Sequence, residues 1–546
     1  MSKELALVLS NKVNVSDQYT QVVELCGTQA QIYEYSPDGG VGPSSIQWNS
    51  VVPISSLGNT LMSKNMKIRY QVAVSVAPAA ADPITHVFPA TTSATNDADG
   101  VNSGFRAFPL QSVCNTIQLS INNSSTTWNA RQTLDGLQRL LDKKALMSRA
   151  GESPCRPDDK YNLYDDADGF GQVLNTSVKT QGGYSRNSIT ARSYVPAVGL
   201  IPAVYTYEIT EDLVIPGINT LFDNEVMYGN INNLALILSF TSLKDMVVEA
   251  ALYGGTSTYN DTLTVSVLDP YLVLEYQQID PKLVSIPKQI TYPYENIQYF
   301  PKDITSMPAN MKANVDTDAL ANTAYMAVSD TIRLSSLPKR IGFYLRRKMN
   351  DRSVTASDSA FTLQNAKGCV QIDLGARSGL LAQASRDQIW RHSVMAGSNQ
   401  TRDDFCFGSG SFTWINPVEA FGVNPDGGDL LVGESGSLNL RINAQYTLQN
   451  VRASLNGAAN TSYLPTAASY EFIVCVIYEG QMVITPDMVL YNTGILSSAE
   501  VSKLVNTGSS VSNEAIKKEI NGAGLYTDKG ILHKGAKKRG GIISMS

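Results

Sequence analysis

Strict alternation of apolar and polar side chains is the dominant pattern along the chain. Across 66–76, Met66, Ile68, Tyr70, Val72, Val74 and Val76 interleave with Lys67, Arg69, Gln71, Ala73 and Ser75. A period of two puts one set on a buried face and the other on a wetter one, which predicts a β-strand. Ile117, Leu119 and Ile121 repeat the pattern and run into the turn sequence Asn122-Asn123-Ser124-Ser125. Leu234, Leu236, Leu238 and Phe240 predict another strand, as do Leu263, Val265 and Val267. Later, Leu438, Leu440, Ile442 and Ala444 alternate with Asn439, Arg441, Asn443 and Gln445. Residues 472–478 are almost wholly apolar, the pattern of a strand covered on both faces. Helical periodicity is scarce. At 133–146, Leu134, Leu137, Leu141 and Ala145 make one stripe and leave Asp135, Arg139 and Asp142 outside it. A weaker helical pattern covers 378–394 through Leu381, Ala384, Gln388 and Trp390, and Ser497-Ser498-Ala499-Glu500 reads as a helix start.

The strands fall into two halves. Near the end of each comes an alternating strand, a polar gap, an apolar strand and then Ile-Xaa-Pro. The first copy runs from Leu234 through Tyr271-Leu272-Val273-Leu274 to Ile279-Asp280-Pro281, and the second from Leu438 through Ile473-Val474-Cys475-Val476 to Ile484-Thr485-Pro486. A repeat spaced by about 200 residues is what tandem β-domains give. Pro281, Pro287, Pro293 and Pro301 mark the expected join. Polar insertions at 77–103 and 151–188 read as long loops carried on the β scaffold. Length agrees with two units: 546 residues exceed what one core sustains, a limit of roughly 250–300.

Composition narrows the function. Charged residues are 17%, against a norm of about 25%, while Tyr reaches 26. That mix suits strands, polar turns and surfaces that become interfaces. The net charge of −6 excludes a protein that condenses nucleic acid over its whole surface, so any such contact is local. The six cysteines, Cys26, Cys114, Cys155, Cys369, Cys406 and Cys475, make no CxxC pair and read as buried reduced thiols. Met1-Ser2-Lys3-Glu4 opens without the basic flank and apolar run of a signal peptide, and no stretch approaches the ~20 apolar residues of a membrane helix. Folding in a reducing aqueous compartment is the expectation.

Catalytic chemistry has little to draw on. The three histidines, His86, His392 and His533, have no metal partner at useful spacing, and Gly433-Glu434-Ser435-Gly436 departs from a nucleophile elbow. Asp165-Asp166-Ala167-Asp168-Gly169 fails the calcium-loop register, because Tyr164 and Asn175 would take the first and last ligand positions. No catalytic residue, cofactor or metal is expected. The basic run from Arg340 to Arg346, Arg347 and Lys348 is expected to end a strand and pair with acidic neighbours rather than face nucleic acid. Lys529, Lys534, Lys537, Lys538 and Arg539 occur among glycines with no acidic residue between them. This tail is a candidate arm toward phosphates of a genome or of lipid headgroups, set against a simple solubilising tail.

Several blocks resemble the double jelly-roll major capsid proteins of polinton-like viruses, virophages and related small DNA viruses. The segment Ser329-Asp330-Thr331-Ile332-Arg333-Leu334 through Arg340-Ile341-Gly342-Phe343-Tyr344-Leu345-Arg346 is similar to the opening of their second jelly roll. Arg377-Ser378-Gly379-Leu380-Leu381 through Ile389-Trp390-Arg391-His392-Ser393 resembles a helix inserted in that barrel, and Asp429-Leu430-Leu431 through Tyr446-Thr447-Leu448 its late strands. Phe108-Pro109-Leu110 through Ile117-Gln118-Leu119 resembles a strand of the first barrel. The resemblance implies an all-β fold of two tandem eight-stranded jelly rolls with few short helices. The expected division is an arm at 1–45, jelly rolls at 46–282 and 283–494, and a C-terminal arm at 495–546. It further implies a non-enzymatic structural subunit, assembled in the host cell into homotrimers that tile an icosahedral virion shell around DNA. The implied partners are other copies, minor capsid or penton proteins, and genome or internal membrane at the tail. The rival reading is a β-sandwich spike or glycan- or receptor-binding protein, in which the long loops bind the receptor.

Overall fold

Period-two alternation buries one face of each strand, and two such faces closing on each other make a sandwich. The computed structural model describes residues 29–39, 44–51, 60–78, 103–140, 189–249, 262–278, 288–304, 324–348, 361–422, 435–448 and 469–493, with Gly42 and Phe88 and less some short gaps within these spans. In the first half lie β1 (Gln29–Tyr35), β2 (Ser45–Val51), β3 (Thr60–Ala77), β4 (Ser103–Phe105), β5 (Cys114–Ile121), β6 (Ser124–Asn129), β7 (Ile189–Val195), β8 (Ala203–Asp212), β9 (Leu234–Phe240), β10 (Val247–Glu249) and β11 (Thr262–Gln278). They form a five-stranded sheet, β1-β11-β3-β8-β7, a four-stranded sheet, β2-β9-β5-β6, and the small pair β10-β4.

The second half holds β12 (Ile290–Ile304), β13 (Tyr325–Val328), β14 (Ile332–Ser336), β15 (Arg340–Arg347), β16 (Phe361–Leu363), β17 (Val370–Leu374), β18 (Arg377–Leu380), β19 (Thr413–Ile415), β20 (Ser435–Leu448), β21 (Tyr470–Ile484) and β22 (Val489–Thr493). One sheet runs β12-β21-β15-β19 with β22 on β21, and the other runs β13-β20-β17-β18 with β14 and β16 on β20. The helices are short: α1 (Pro109–Val113), α2 (Ala130–Leu137), α3 (Arg386–Met395), α4 (Arg402–Phe407) and α5 (Pro417–Phe421).

The two halves share a wiring. In each, the last long strand lies between the first strand and a third, as β1-β11-β3 and as β12-β21-β15. In each, the preceding long strand is central in the facing sheet, as β2-β9-β5 and as β13-β20-β17, the three-residue β10 aside. The repeat legible at Leu234 and Leu438 therefore occupies matching places. The halves are not plain eight-stranded copies. β13 and β14 are one edge strand of β20 interrupted at Ser329, whose N–H donates to the Ile442 carbonyl and whose Oγ accepts from the Ile442 N–H.

Three expectations change. Residues 29–35, placed in the arm at 1–45, form β1 and pair with β11 from Gln29↔Gln278 to Tyr35↔Leu272. Their alternation is weak because Ile32 is 69% exposed, while Tyr33 and Tyr35 pack on the core. At 378–394 the first residues belong to β18, and the helix starts only after Ser385, which closes a capping box with Gln388. Pro293 and Pro301 lie inside β12 instead of before it. Among the described strands β12 pairs with β21 alone, so its other edge needs no N–H at these positions. The expected helix at 497–500 and most of the loops at 77–103 and 151–188 lie outside the described residues.

A buried carboxyl anchors α1. Phe108, the residue before it, has φ 48° and provides no side-chain cap. Glu211 of β8 supplies the cap instead. Its carboxylate accepts from the N–H groups of Leu110 at 2.9 Å and Gln111 at 3.0 Å, from the Tyr70 hydroxyl at 2.8 Å and from the Gln111 side-chain amide at 3.2 Å. Burial pushes the Glu211 pKa up to about 7 from 4.5, against the pull of those donors. The raised value means the folded chain holds this proton when the unfolded chain has lost it. Its stabilising contribution is thus complete below pH 4.5 and is lost as pH rises to 7, by about 3 kcal/mol. Glu211→Gln is expected to remove that slope: urea unfolding should show the parent losing stability from pH 4.5 to 7 relative to the variant. Equal slopes would rule this out.

Candidate functional site

Among the described residues, the feature with functional geometry is the junction that fixes one sandwich against the other. β12 and β21 build it. Each has 15 residues, about 50 Å at ~3.3 Å per residue, and they pair along their whole length from Ile290↔Ile484 to Ile304↔Tyr470. At one end Tyr292, Tyr294, Met482 and Ile484 join the core of the first sandwich. In the middle Ile297, Cys475 and Ile477 join a separate cluster with Leu134, Leu137, Leu140 and Trp414. At the other end Phe472, Val474 and Val476 belong to the second core. One strand pair thus runs through both cores, and residues 472–478 are buried on both faces as their apolar run predicts.

Helix α2 packs into the middle of this girder on both of its sides. Leu134 and Leu137 point into the shared cluster. Asp135, outside the apolar stripe, reaches the second sandwich and accepts from Arg346 Nη1 at 2.5 Å. Arg346 also donates Nε and Nη2 to Glu471 Oε1 at 2.9 and 2.7 Å. Burial alone would lower the Arg346 pKa, but Tyr344, Asp135 and Glu471 outweigh it and hold the guanidinium above its ordinary value. One turn later Arg139 pairs with Asp404 at 3.3 Å, lies over the Phe412 ring and accepts at its carbonyl from Asn399 N–H. Asp135 and Arg139 therefore reach the second sandwich, Asp135 keeping partial contact with solvent.

The Asn turn is the second contact. Asn122 and Asn123 both take positive φ, 45° and 65°, closing a two-residue hairpin between β5 and β6. The Asn122 amide then donates to the Asn230 and Thr485 carbonyls at 2.6 and 2.7 Å and accepts from Asn232 N–H at 2.8 Å. Ser124 Oγ accepts from Val489 N–H at 3.0 Å, and Asn232 donates to the Pro486 carbonyl at 2.9 Å. Nearby the Tyr228 and Tyr292 rings meet edge-on at 4.9 Å. A third contact is electrostatic. Glu295 and Glu479 face each other across β12 and β21, a repulsive register that Lys339 Nζ offsets by bridging both at 3.2 and 2.6 Å. Burial raises the Glu295 pKa against the pull of Lys339 and Arg340, and lowers Lys64 to about 8.

The sequence-derived candidates distribute unevenly. Arg346 and Arg347 are buried at the end of β15 and Lys348 pairs with Asp303 at 2.7 Å, so the run has acidic neighbours as expected. Cys114, Cys369, Cys406 and Cys475 are free and buried. His392 lies on α3. Lys529, Lys534, Lys537, Lys538, Arg539, His86, His533 and the Asp165–Gly169 loop all lie outside the described residues. The junction acids Asp135 and Glu471 carried no sequence signal beyond being charges beside apolar positions.

Comparison with known proteins agrees with this architecture. Residues 3–263 match the family described as Sputnik virophage major capsid protein 1st domain, and 307–480 match the major capsid protein V20 C-terminal domain. The putative capsid protein V20 of Sputnik virophage is 24% identical over 430 residues, spanning 73% of this chain and 66% of that protein, a little under two thirds of its length. The cryo-EM structure of the Sputnik virophage aligns with a TM-score of 0.68 at 17% identity, covering 87% of this chain and 90% of that one. The mavirus major capsid protein aligns at 0.63 and 15%, covering 86% and 91%. With its two halves matching both capsid domains in order on a double jelly-roll scaffold, the chain belongs to the virophage-type major capsid proteins, structural components of the virion.

Proposed function

We propose that the chain is the self-assembling unit of an icosahedral shell, acting without catalysis. Three copies form a trimer with a near-hexagonal outline, and such trimers tile a closed container around a DNA genome. The observation that carries this is the pair of equivalently wired sandwiches locked by one continuous strand pair. Two similar faces at a fixed angle let a threefold trimer present six near-equal sides. A loose junction would let the angle drift and spoil the tiling. The reading assigns 283–494 to the second jelly roll and 495–546 to an arm, with the first jelly roll beginning by Gln29. Minor capsid or penton proteins fill the vertices, and Lys529, Lys534, Lys537, Lys538 and Arg539 meet phosphates on the inner face.

Light scattering on the purified full chain, with electron microscopy of the assembled material, tests this. Uniform trimers that close into shells or hexagonal sheets are expected. Removing 525–546 should leave trimers intact and impair shell closure or content packaging. A purified chain that stays monomeric and binds glycans would overturn the proposal in favour of a receptor-binding role.

A further inference from the structure

The two cores are built on unequal terms. Among the described residues, every member of the second core, and every partly buried apolar side chain against it, lies within 300–478. The first core borrows. Its own last described strand, β11, ends at Gln278, yet Tyr292, Tyr294, Met482, Ile484 and Val489 are members, the last three at 0%, 0% and 4% exposed. They arrive on the ends of β12 and β21 and on β22, whose pairing with β21 runs from Gly480↔Thr493 to Ile484↔Val489. The tip of this late hairpin accepts from Asn122 and Asn232, and its Val489 N–H donates to Ser124. Beside it the Tyr292 hydroxyl accepts from Gly229 N–H at 2.8 Å, and the Tyr294 and Tyr491 rings lie 4.9 Å apart. The Ile484-Thr485-Pro486 segment that closes the second half thus finishes the first sandwich.

We propose that the second sandwich is the self-sufficient folding unit and that the first closes on the strand ends it projects, so the half made first is the half finished last. Five buried apolar side chains are comparable in effect with the whole net stability of a domain, so a first sandwich without them has little left to hold it closed. Nothing comparable runs the other way. The junction cluster, which mixes residues of both halves, couples the two without completing either core. At about 5–20 residues/s, synthesis from Gln278 to Tyr491 takes on the order of ten seconds or more, against about 1–10 μs for a hairpin to form. A chain cut short before Met482 therefore presents no finished first sandwich. This order is a property of one chain and holds however copies associate.

Native-state hydrogen exchange of the purified full chain, read by mass spectrometry in low urea where reclosing outruns exchange, tests this order. The first sandwich should open alone and the second only with it, so β5 and β9 should exchange at lower urea than β17 and β20. Ile209 and Ile442 are fully buried, one in each core. Ile209→Val should speed all four strands by one common factor, about 2- to 10-fold, because every opening includes the first sandwich. Ile442→Val should speed β17 and β20 alone. Val489→Ala, far along the chain, should act on all four strands as Ile209→Val does. Effects confined to each variant's own half would show two independent sandwiches, and equal effects on all four strands from all three variants would show a single unit; either overturns the proposal. So does Val489→Ala acting on β17 and β20 alone, or Ile442→Val speeding β5 and β9 while Ile209→Val leaves β17 and β20 unchanged.

Discussion

Arg346→Ala is expected to cost the subunit about 3–5 kcal/mol, because it leaves the buried Glu471 and the partly buried Asp135 without their cation. The guanidinium side chain is 1% exposed and holds Asp135 from the first sandwich and Glu471 from the second. The bonds to these two acids are charge-assisted, and Glu471, with its side chain 8% exposed, has little access to water that could replace them. Arg346→Lys should recover little, since an ammonium cannot reproduce a fork that spans two acids. Replacing all three with apolar residues of similar volume, Arg346→Met with Asp135→Leu and Glu471→Leu, should restore stability close to the parent. Lys348→Ala is the contrast: its pair with Asp303 is 33% and 65% exposed and should be worth under about 1 kcal/mol. Urea unfolding of the purified chain measures all four. An Arg346→Ala protein within about 1 kcal/mol of the parent would show that the triad does not hold the sandwiches together.

How much of this was legible in the sequence depends on the range over which each signal acts. Alternation is local, so β3, β5, β9, β20 and the apolar β21 could be read directly from residues such as Ile68, Leu119, Leu236 and Ile442. The Asn122-Asn123 turn was equally legible, because two positive φ values in a short hairpin favour Asn. Its second task was not: the Thr485 carbonyl it meets is 363 residues away. Asp135 and Arg139 failed for the same reason. One helix read alone puts charges on the solvent side, and only the docking of a second sandwich brings partners to them. β1 was missed because an edge strand with Ile32 outward and Tyr inward lacks clean alternation. The basic tail was visible as composition, and composition alone does not place it.

The junction also explains why two glycines sit where a strand and a helix would ordinarily avoid them. Gly342 pairs with Trp414 across β15 and β19, and a Cβ on it would come within 2.5 Å of the indole ring. A Cβ on Gly136 of α2 would meet the same ring from the other sandwich, and Tyr344 as well, at 3.3 Å. Glycine costs a helix about 1 kcal/mol relative to alanine, so its presence in α2 marks close approach. Trp414 is 1% exposed and fills the space among Leu134, Leu137 and Ile477.

Trp414→Ala should therefore cost about 3–5 kcal/mol, as truncation of a buried aromatic does when its surroundings cannot collapse. Here they are held by β21 on one side and α2 on the other. Gly342→Ala alone should cost about 1–3 kcal/mol, because the ring must leave its rotamer or the strands must part. Combined, the two changes should cost less than their sum, since the new methyl enters space that the indole has vacated. The coupling should fall in the range of about 0.5–3 kcal/mol seen for contacting residues. Unfolding free energies of the parent, both single variants and the double variant close the cycle. Simple additivity would mean that the ring does not occupy the space above Gly342, and with it would go the account of why these sandwiches meet at a glycine on each side.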